Sequence, residues 1–171
     1  MRLTTGVRGA VSVHITDPGT CPISERYEDF PHLAAGRPVT DADHSGALAD
    51  GDVTAEGDAV SISCTWSGAS PPYHIYPQMT VGTGLKSKRT TFNVALALEE
   101  PVATKTFVVR TPDMLNPYSG DCTLIAHQLD ESNHSVWGEM SCDPFEDAAL
   151  TNPEPCAVAT SYFYFENCSP Q

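Results

Sequence analysis

Apolar and polar residues alternate with a period of two along much of the chain. Val11, Val13 and Ile15 alternate with Ser12, His14 and Thr16 until Asp17-Pro18-Gly19 ends the run. Val60, Ile62, Cys64 and Trp66 do the same against Ala59, Ser61, Ser63 and Thr65. Phe92, Val94, Leu96 and Leu98 give the cleanest case, stopped by Glu99-Glu100-Pro101. A weaker run of Ile75, Pro77, Met79 and Val81 carries a proline that suits an edge or a bulge. Residues 106–110, 122–129, 136–142 and 157–168 complete the set, the last containing Tyr162, Phe163, Tyr164 and Phe165. Successive strand side chains point to opposite faces, so this pattern predicts half-buried β-strands, about eight of them. No segment sustains the 3.6-residue period of a helix. With 14 prolines and 12 glycines as punctuation, the expected fold is all-β, an antiparallel β-sandwich or a jelly-roll-like domain. A length of 171 residues suits one domain spanning 1–171. Segments 17–58 and 143–156 read as two long loops.

Charge narrows the range of partners. The chain has 22 acidic against 9 basic residues, a formal net charge of −13. Nucleic acid and anionic membrane surfaces are bound by neutralising phosphates with Lys and Arg, so neither is expected as a partner. The one basic group, Lys86, Lys88 and Arg89, reads as a solvated turn. There is no stretch of about 20 apolar residues to form a membrane-spanning helix. Residues 1–19 have no signal-peptide core of about 7–15 apolar residues. The expectation is a chain whose export signal has been removed.

Cysteine usage sets the compartment. Six cysteines lie at 21, 64, 122, 142, 156 and 168, none in a C-x-x-C pair. Zinc and thioredoxin spacings are absent, and the pattern predicts a disulfide framework in an extracytoplasmic, oxidising compartment. Of the fifteen possible connectivities, the expected one pairs Cys142 with Cys156 around the proline-containing loop. It then joins Cys122 to Cys168, both in strands, and leaves Cys21 with Cys64.

The C-terminal third reads Val136-Trp137-Gly138-Glu139-Met140-Ser141-Cys142, then Cys156, then Phe163-Tyr164-Phe165-Glu166-Asn167-Cys168. This resembles a loose family of bacterial lipoproteins and secreted β-sandwich proteins that end in W-G-x-[MF]-x-C-P, a cysteine, and F-x-F-E-N-C. Here Asp143 separates Cys142 from Pro144. No lipobox cysteine precedes Cys21, so a lipid anchor does not carry over. The resemblance implies a secreted, disulfide-bonded β domain and carries no activity.

One segment follows a metal-site spacing. Counting Asp41 as position 1, Asp43, Ser45 and Asp52 fall at 3, 5 and 12, with Gly46 at 6 and the Ala47 carbonyl at 7. Calcium takes six to eight oxygens around a sharply curling loop, which is the reason for this EF-hand spacing. Pro38 and the strand-like Val53-Thr54-Ala55 replace the flanking helices. The segment is thus either a calcium loop or an acidic solvent loop. Of the six histidines, His14, His32, His44, His74, His127 and His134, no two have metal-ligand spacing. Asp130, His134 and Ser135 share one expected hairpin turn, with no G-x-S-x-G beside them, so no hydrolytic triad is expected. The doublets Glu99-Glu100 and Glu146-Asp147 point to opposite strand faces and form no paired acids.

Flat aromatic rings stack on pyranose faces, which makes Trp66, Tyr73, Tyr76, Tyr118 and Trp137 candidate platform residues. Trp66 shares its face with Val60, Ile62 and Cys64 and reads as core. Tyr73 and Tyr76, following Ser70-Pro71-Pro72, are the weak candidate ligand-binding pair. The expected function is a non-enzymatic extracellular or cell-surface module, structural or binding, with no certain cofactor. The alternative is a calcium-dependent carbohydrate-binding domain. A surface glycan or a protein would be the partner, and exposed sheet edges would permit a homo-oligomer or filament by strand addition.

Overall fold

The computed structural model describes residues 6–17, 19–22, 26–30, 47–54, 57–82, 92–100, 104–110 and 118–171. Among these the chain forms twelve strands and no helix. They are β1 (Arg8–Thr16), β2 (Arg26–Phe30), β3 (Leu48–Ala49), β4 (Val60–Ser67), β5 (Tyr73–Val81) and β6 (Phe92–Leu96). The others are β7 (Leu98–Glu100), β8 (Thr104–Arg110), β9 (Tyr118–Asp130), β10 (Ser135–Asp147), β11 (Cys156–Glu166) and β12 (Ser169–Pro170). Eight of the twelve lie where the alternation places strands. The other four, β2, β3, β7 and β12, have five residues or fewer.

Two expected loops are therefore partly strand. Segment 17–58 contributes β2 and β3, both paired to β1. Segment 143–156 is shortened because β10 runs on to Asp147. The register of β10 against β11 shifts twice, between Met140 and Cys142 and again between Cys142 and Phe145. Such bulges insert residues that break the in–out alternation, which hides the continuing strand from a period-two reading. Phe145 returns to the interior and is fully buried.

The strand order is β12-β4-β5-β6-β8-β9-β10-β11-β1-β2, with β3 on β1 and β7 on β5. From β4 to β11 this is a meander of antiparallel neighbours, so the sandwich-like alternative is realised, and no Greek-key order is present among the described strands. Strand β1 then docks on β11, bringing the two ends of the chain together. Residues 50–52 link the far ends of the path. Asp50 N donates to Val7 O, Gly51 N donates to Val60 O, and Val60 N donates to Asp52 O. The Asp50 carboxylate also accepts from Ile62 N at 2.8 Å. The sheet thus folds over on itself, and its inner faces share one core. Val11, Val13, Val60, Ile62, Ile75, Met79, Met140, Phe163 and Phe165 all belong to it.

Two glycines make room for rings in that core. Gly138 pairs with Phe163 and Gly9 with Phe165 across neighbouring strands. A Cβ on Gly138 would lie 2.5 Å from Phe163 Cζ, and one on Gly9 would lie 2.8 Å from Phe165 Cδ1. Each phenyl ring covers the glycine opposite it and replaces the missing side chain.

Three disulfides staple the fold, and all three differ from the expected pairs. Cys122 bonds Cys142, directly opposite it across β9 and β10. Cys64 bonds Cys168, beside which β12 runs parallel to β4. Cys21 bonds Cys156, where Thr20 Oγ1 also donates to Pro155 O at 2.9 Å. The expected Cys142–Cys156 pair rested on the loop between them, Cys122–Cys168 on both lying in C-terminal strands, and Cys21–Cys64 was the remainder. The topology decides instead, by setting β11 against β1 and β12 against β4. Disulfides of this kind belong to an oxidising, extracytoplasmic environment.

Candidate functional site

Alternation along the C-terminal strands sends Val136, Met140, Phe163 and Phe165 inward. The intervening residues Ser135, Trp137, Tyr162, Tyr164 and Glu166 are left on the outer face. Register aligns Trp137 with Gln128 on one side and with Tyr164 on the other, and Tyr164 with Ala10. Two residues along each strand, on the same face, Ser135 faces Asp130 and Glu166 faces Arg8. A groove of about 290 Å³ opens here, lined by Gln128, Leu129, Asp130, Asn133, Ser135, Trp137, Tyr164 and Glu166.

The floor is built rather than merely exposed. Tyr164 packs with Ala10 and Ala47 as a small second core, against which Trp137 and Tyr162 rest. Glu166 is 8 % exposed, and a carboxylate so buried needs partners. One oxygen pairs with Arg8 Nη1 at 3.2 Å and the other accepts the Tyr164 hydroxyl at 2.8 Å. Arg8 Nη2 also donates to the Ala47 carbonyl at 2.8 Å, holding the residue before β3 against the face. Trp137 Nε1 donates to Gln128 Oε1 at 3.2 Å, which fixes the indole.

The rim is the β9–β10 turn. Asp130 Oδ1 accepts from the Ser132 hydroxyl at 2.6 Å and from Ser132 N at 2.9 Å. These bonds, the hydroxyl first, hold the Asp130 carboxyl below its usual range. Asn133 O and His134 O accept from Asn167 N and Cys168 N, tying the turn to the end of β11. Among the described residues neither the Ser135 hydroxyl nor the Asn133 side-chain amide has a partner, although Ser135 is only 7 % exposed.

The sequence-predicted residues fall elsewhere. Asp41, Asp43 and Ser45 lie outside the described residues. Ala47 is buried, and its carbonyl, the expected position-7 ligand, is already held by the Arg8 guanidinium. Asp52 Oδ2 accepts from Ala49 N at 2.8 Å, closing the turn after β3.

Tyr73 and Tyr76 do not form a shared platform. They stand three positions apart on β5, so they leave opposite faces of the strand. The Tyr73 ring is buried 5.0 Å from that of Trp66, while Tyr76 is exposed. The Tyr73 hydroxyl donates to Glu131; that bond, with burial and the nearby charge, raises its pKa above the usual 10.0. Trp66 is core, as its strand face predicts, and Tyr118 is core as well. Trp137 alone of the five aromatic candidates lines the groove.

Sequence reasoning named Asp130 and Ser135 only to set a triad aside, and it missed Gln128, Asn133, Arg8, Tyr164 and Glu166. A signal for the last two exists: alternate positions 162, 164 and 166 place Tyr, Tyr and Glu on what should be a solvent face. His134 packs its ring 5.4 Å from Trp66, away from any role beside Ser135. A second, acidic concavity of about 320 Å³ is bounded by Ser119, Gly120, Asp121, Asp143, Pro144 and Glu146. Among the described residues no three His, Cys, Asp or Glu side chains converge as a metal site. Compared with known proteins, the chain matches no protein-family model, no curated protein and no solved structure.

Proposed function

We propose that this chain is a non-enzymatic binding module of the cell surface or extracellular space, and that it binds through the groove over β9, β10 and β11. The observation that carries this reading is the buried, unpartnered Ser135 hydroxyl opening into a groove in which Trp137, Tyr164, Glu166 and Asp130 are held by hydrogen bonds. A buried hydroxyl without a partner costs about 1–3 kcal/mol, and a ligand that supplies the partner recovers that cost. The carboxylates are committed to structure: Glu166 to Arg8 and Tyr164, Asp130 to Ser132. Asp130 touches the Ser132 hydroxyl without a histidine or other base completing a relay among the groove residues, and we read the groove as one for binding. The groove lies at the lower end of the ~300–1,000 Å³ range of small-molecule sites. The resemblance of the C-terminal third to secreted bacterial proteins agrees with this setting.

The test is a thermal-shift screen of small polar molecules against the oxidised chain and its Trp137→Ala variant. A stabilising ligand should lose its effect in the variant and be recovered chemically unchanged. Conversion of the ligand into product would defeat the reading. On this reading melting curves in millimolar calcium and in chelator should coincide, and a melting temperature raised by calcium would favour the calcium-dependent alternative.

A further inference from the structure

We infer that the groove takes a neutral saccharide, one ring stacked on Trp137 and its hydroxyls bound by Ser135, Asn133 and Asp130, without calcium. The inference rests on the binding-module reading and names its ligand class. Three features of the lining select that class.

The first is what Trp137 has left to offer. Its indole N–H is taken by Gln128 Oε1, so a ligand meets ring surface and no polar edge. A flat π-surface suits the C–H face of a pyranose or a cation.

The second is charge, which separates those two. Both oxygens of Glu166 are engaged, one by the Arg8 cation and one by the Tyr164 hydroxyl. Its charge is thereby spent within the protein. Asp130 is the other carboxylate that lines the groove, with Oδ1 already bound to Ser132. A cation would find no cage of free acids, and an anion would be repelled by the two carboxylates.

The third is hydrogen-bonding capacity. Sugar hydroxyls both donate and accept, so they need mixed partners. The Ser135 hydroxyl and the Asn133 amide each do both, and Asp130 Oδ2 accepts. The first two have no partner among the described residues. Ser135 faces Asp130 across β9 and β10, and Asn133 lies in the turn between them. Donors, acceptors and ring thus line one groove of about 290 Å³. That space suits a single terminal sugar unit with the rest of a glycan outside.

The experiment titrates the oxidised full chain with methyl glycosides of glucose, galactose, mannose and N-acetylglucosamine, in chelator, up to tens of millimolar. Tetramethylammonium chloride forms a separate arm. Tryptophan fluorescence reports the groove, because Trp66 is buried in the core and Trp137 is not. At least one glycoside should give a saturable change that calcium leaves unaltered. Ser135→Ala and Asn133→Ala should each weaken it about tenfold, near 1.4 kcal/mol, with unchanged circular dichroism. Saturation by tetramethylammonium alone would overturn the saccharide assignment and leave the binding module standing. A glycoside signal lost in chelator would overturn calcium independence, and one unmoved by either variant would overturn the site. Silence from every glycoside would overturn the inference, and a thermal-shift screen equally silent would take the binding-module reading with it.

Discussion

Strands β10 and β11 present two very different faces built from alternate residues of the same chain. Inward, Val136, Phe163 and Phe165 are sealed in the main core, with Gly138 and Gly9 leaving space for the rings. Outward, Ser135, Trp137, Tyr164 and Glu166 make a face that is also largely buried, yet is held by polar pairing. Backbone geometry is common to both faces, so it explains neither difference. Inner-face stability comes from apolar area and close packing. The outer face depends on each buried polar atom finding a partner, and at Ser135 the partner is missing. The comparison teaches that fold and groove are separable: damage to one face should not read out as damage to the other.

The largest expected effect concerns the staples that hold the inner face together. Cys64–Cys168 closes a separation of 104 residues and Cys122–Cys142 one of 20. In the chain-entropy model these contribute about 4.7 and about 3 kcal/mol respectively. Double Cys→Ser variants compared by denaturant unfolding should keep that order. Equal losses would show that strand pairing, and not loop closure, governs what each bond is worth.

Next in size are paired ring deletions on the two faces. Phe163→Ala should cost about 3–5 kcal/mol, the range for a buried aromatic. Trp137→Ala, on the outer face, should cost clearly less while abolishing the thermal shift given by a groove ligand. Reversal of that stability order would dissolve the distinction between the faces.

A smaller effect, with opposite sign, is expected at Ser135. Removing a buried hydroxyl that lacks a partner should stabilise the free protein, by about 1 kcal/mol. Ser135→Ala would then melt higher and bind more weakly. A lower melting temperature would mean that the hydroxyl serves the fold.

The smallest effect is at the rim and depends on pH. The Asp130 carboxyl is held below its usual value chiefly by the Ser132 hydroxyl and then by the Ser132 backbone N–H. A depressed carboxyl contributes stability above its unfolded pKa, and the contribution is lost as pH falls through the folded value. Melting temperature should therefore drop in acid, from the ordinary Asp value near 3.8 downward. Asp130→Asn should flatten that limb slightly. Asp17, whose carboxyl is lowered by the Cys21 and then the Gly19 backbone N–H, acts in the same direction and serves as a control away from the groove.

Much of the architecture was legible because alternation is a local property. Val11 to Ile15 or Val60 to Trp66 declare a half-buried strand through neighbours two residues away, and the structure buries those residues. Reading failed where that period failed. Bulges in β10 concealed the stretch to Asp147. Strand β3 is two residues long and carries no pattern at all. The platform assignment failed for a related reason: Tyr73 and Tyr76 are close in sequence, but three steps along a strand separate faces. Trp137 was visible as an aromatic on a strand, but nothing nearby in sequence revealed that Tyr164, Glu166 and Arg8 would stand beside it.

The sequence by itself determined the all-β class, the places of the eight principal strands, Trp66 as core and an oxidising compartment. Each of these follows from composition or from residues within a few positions of one another. Only the tertiary structure decided which cysteines meet and where a groove forms. Cys21 meets Cys156 across 135 residues, and Arg8 meets Glu166 across 158. Those meetings depend on β1 docking against β11 and on β12 lying along β4. Such choices arise from how a whole sheet folds over its core, and no short stretch of sequence encodes them.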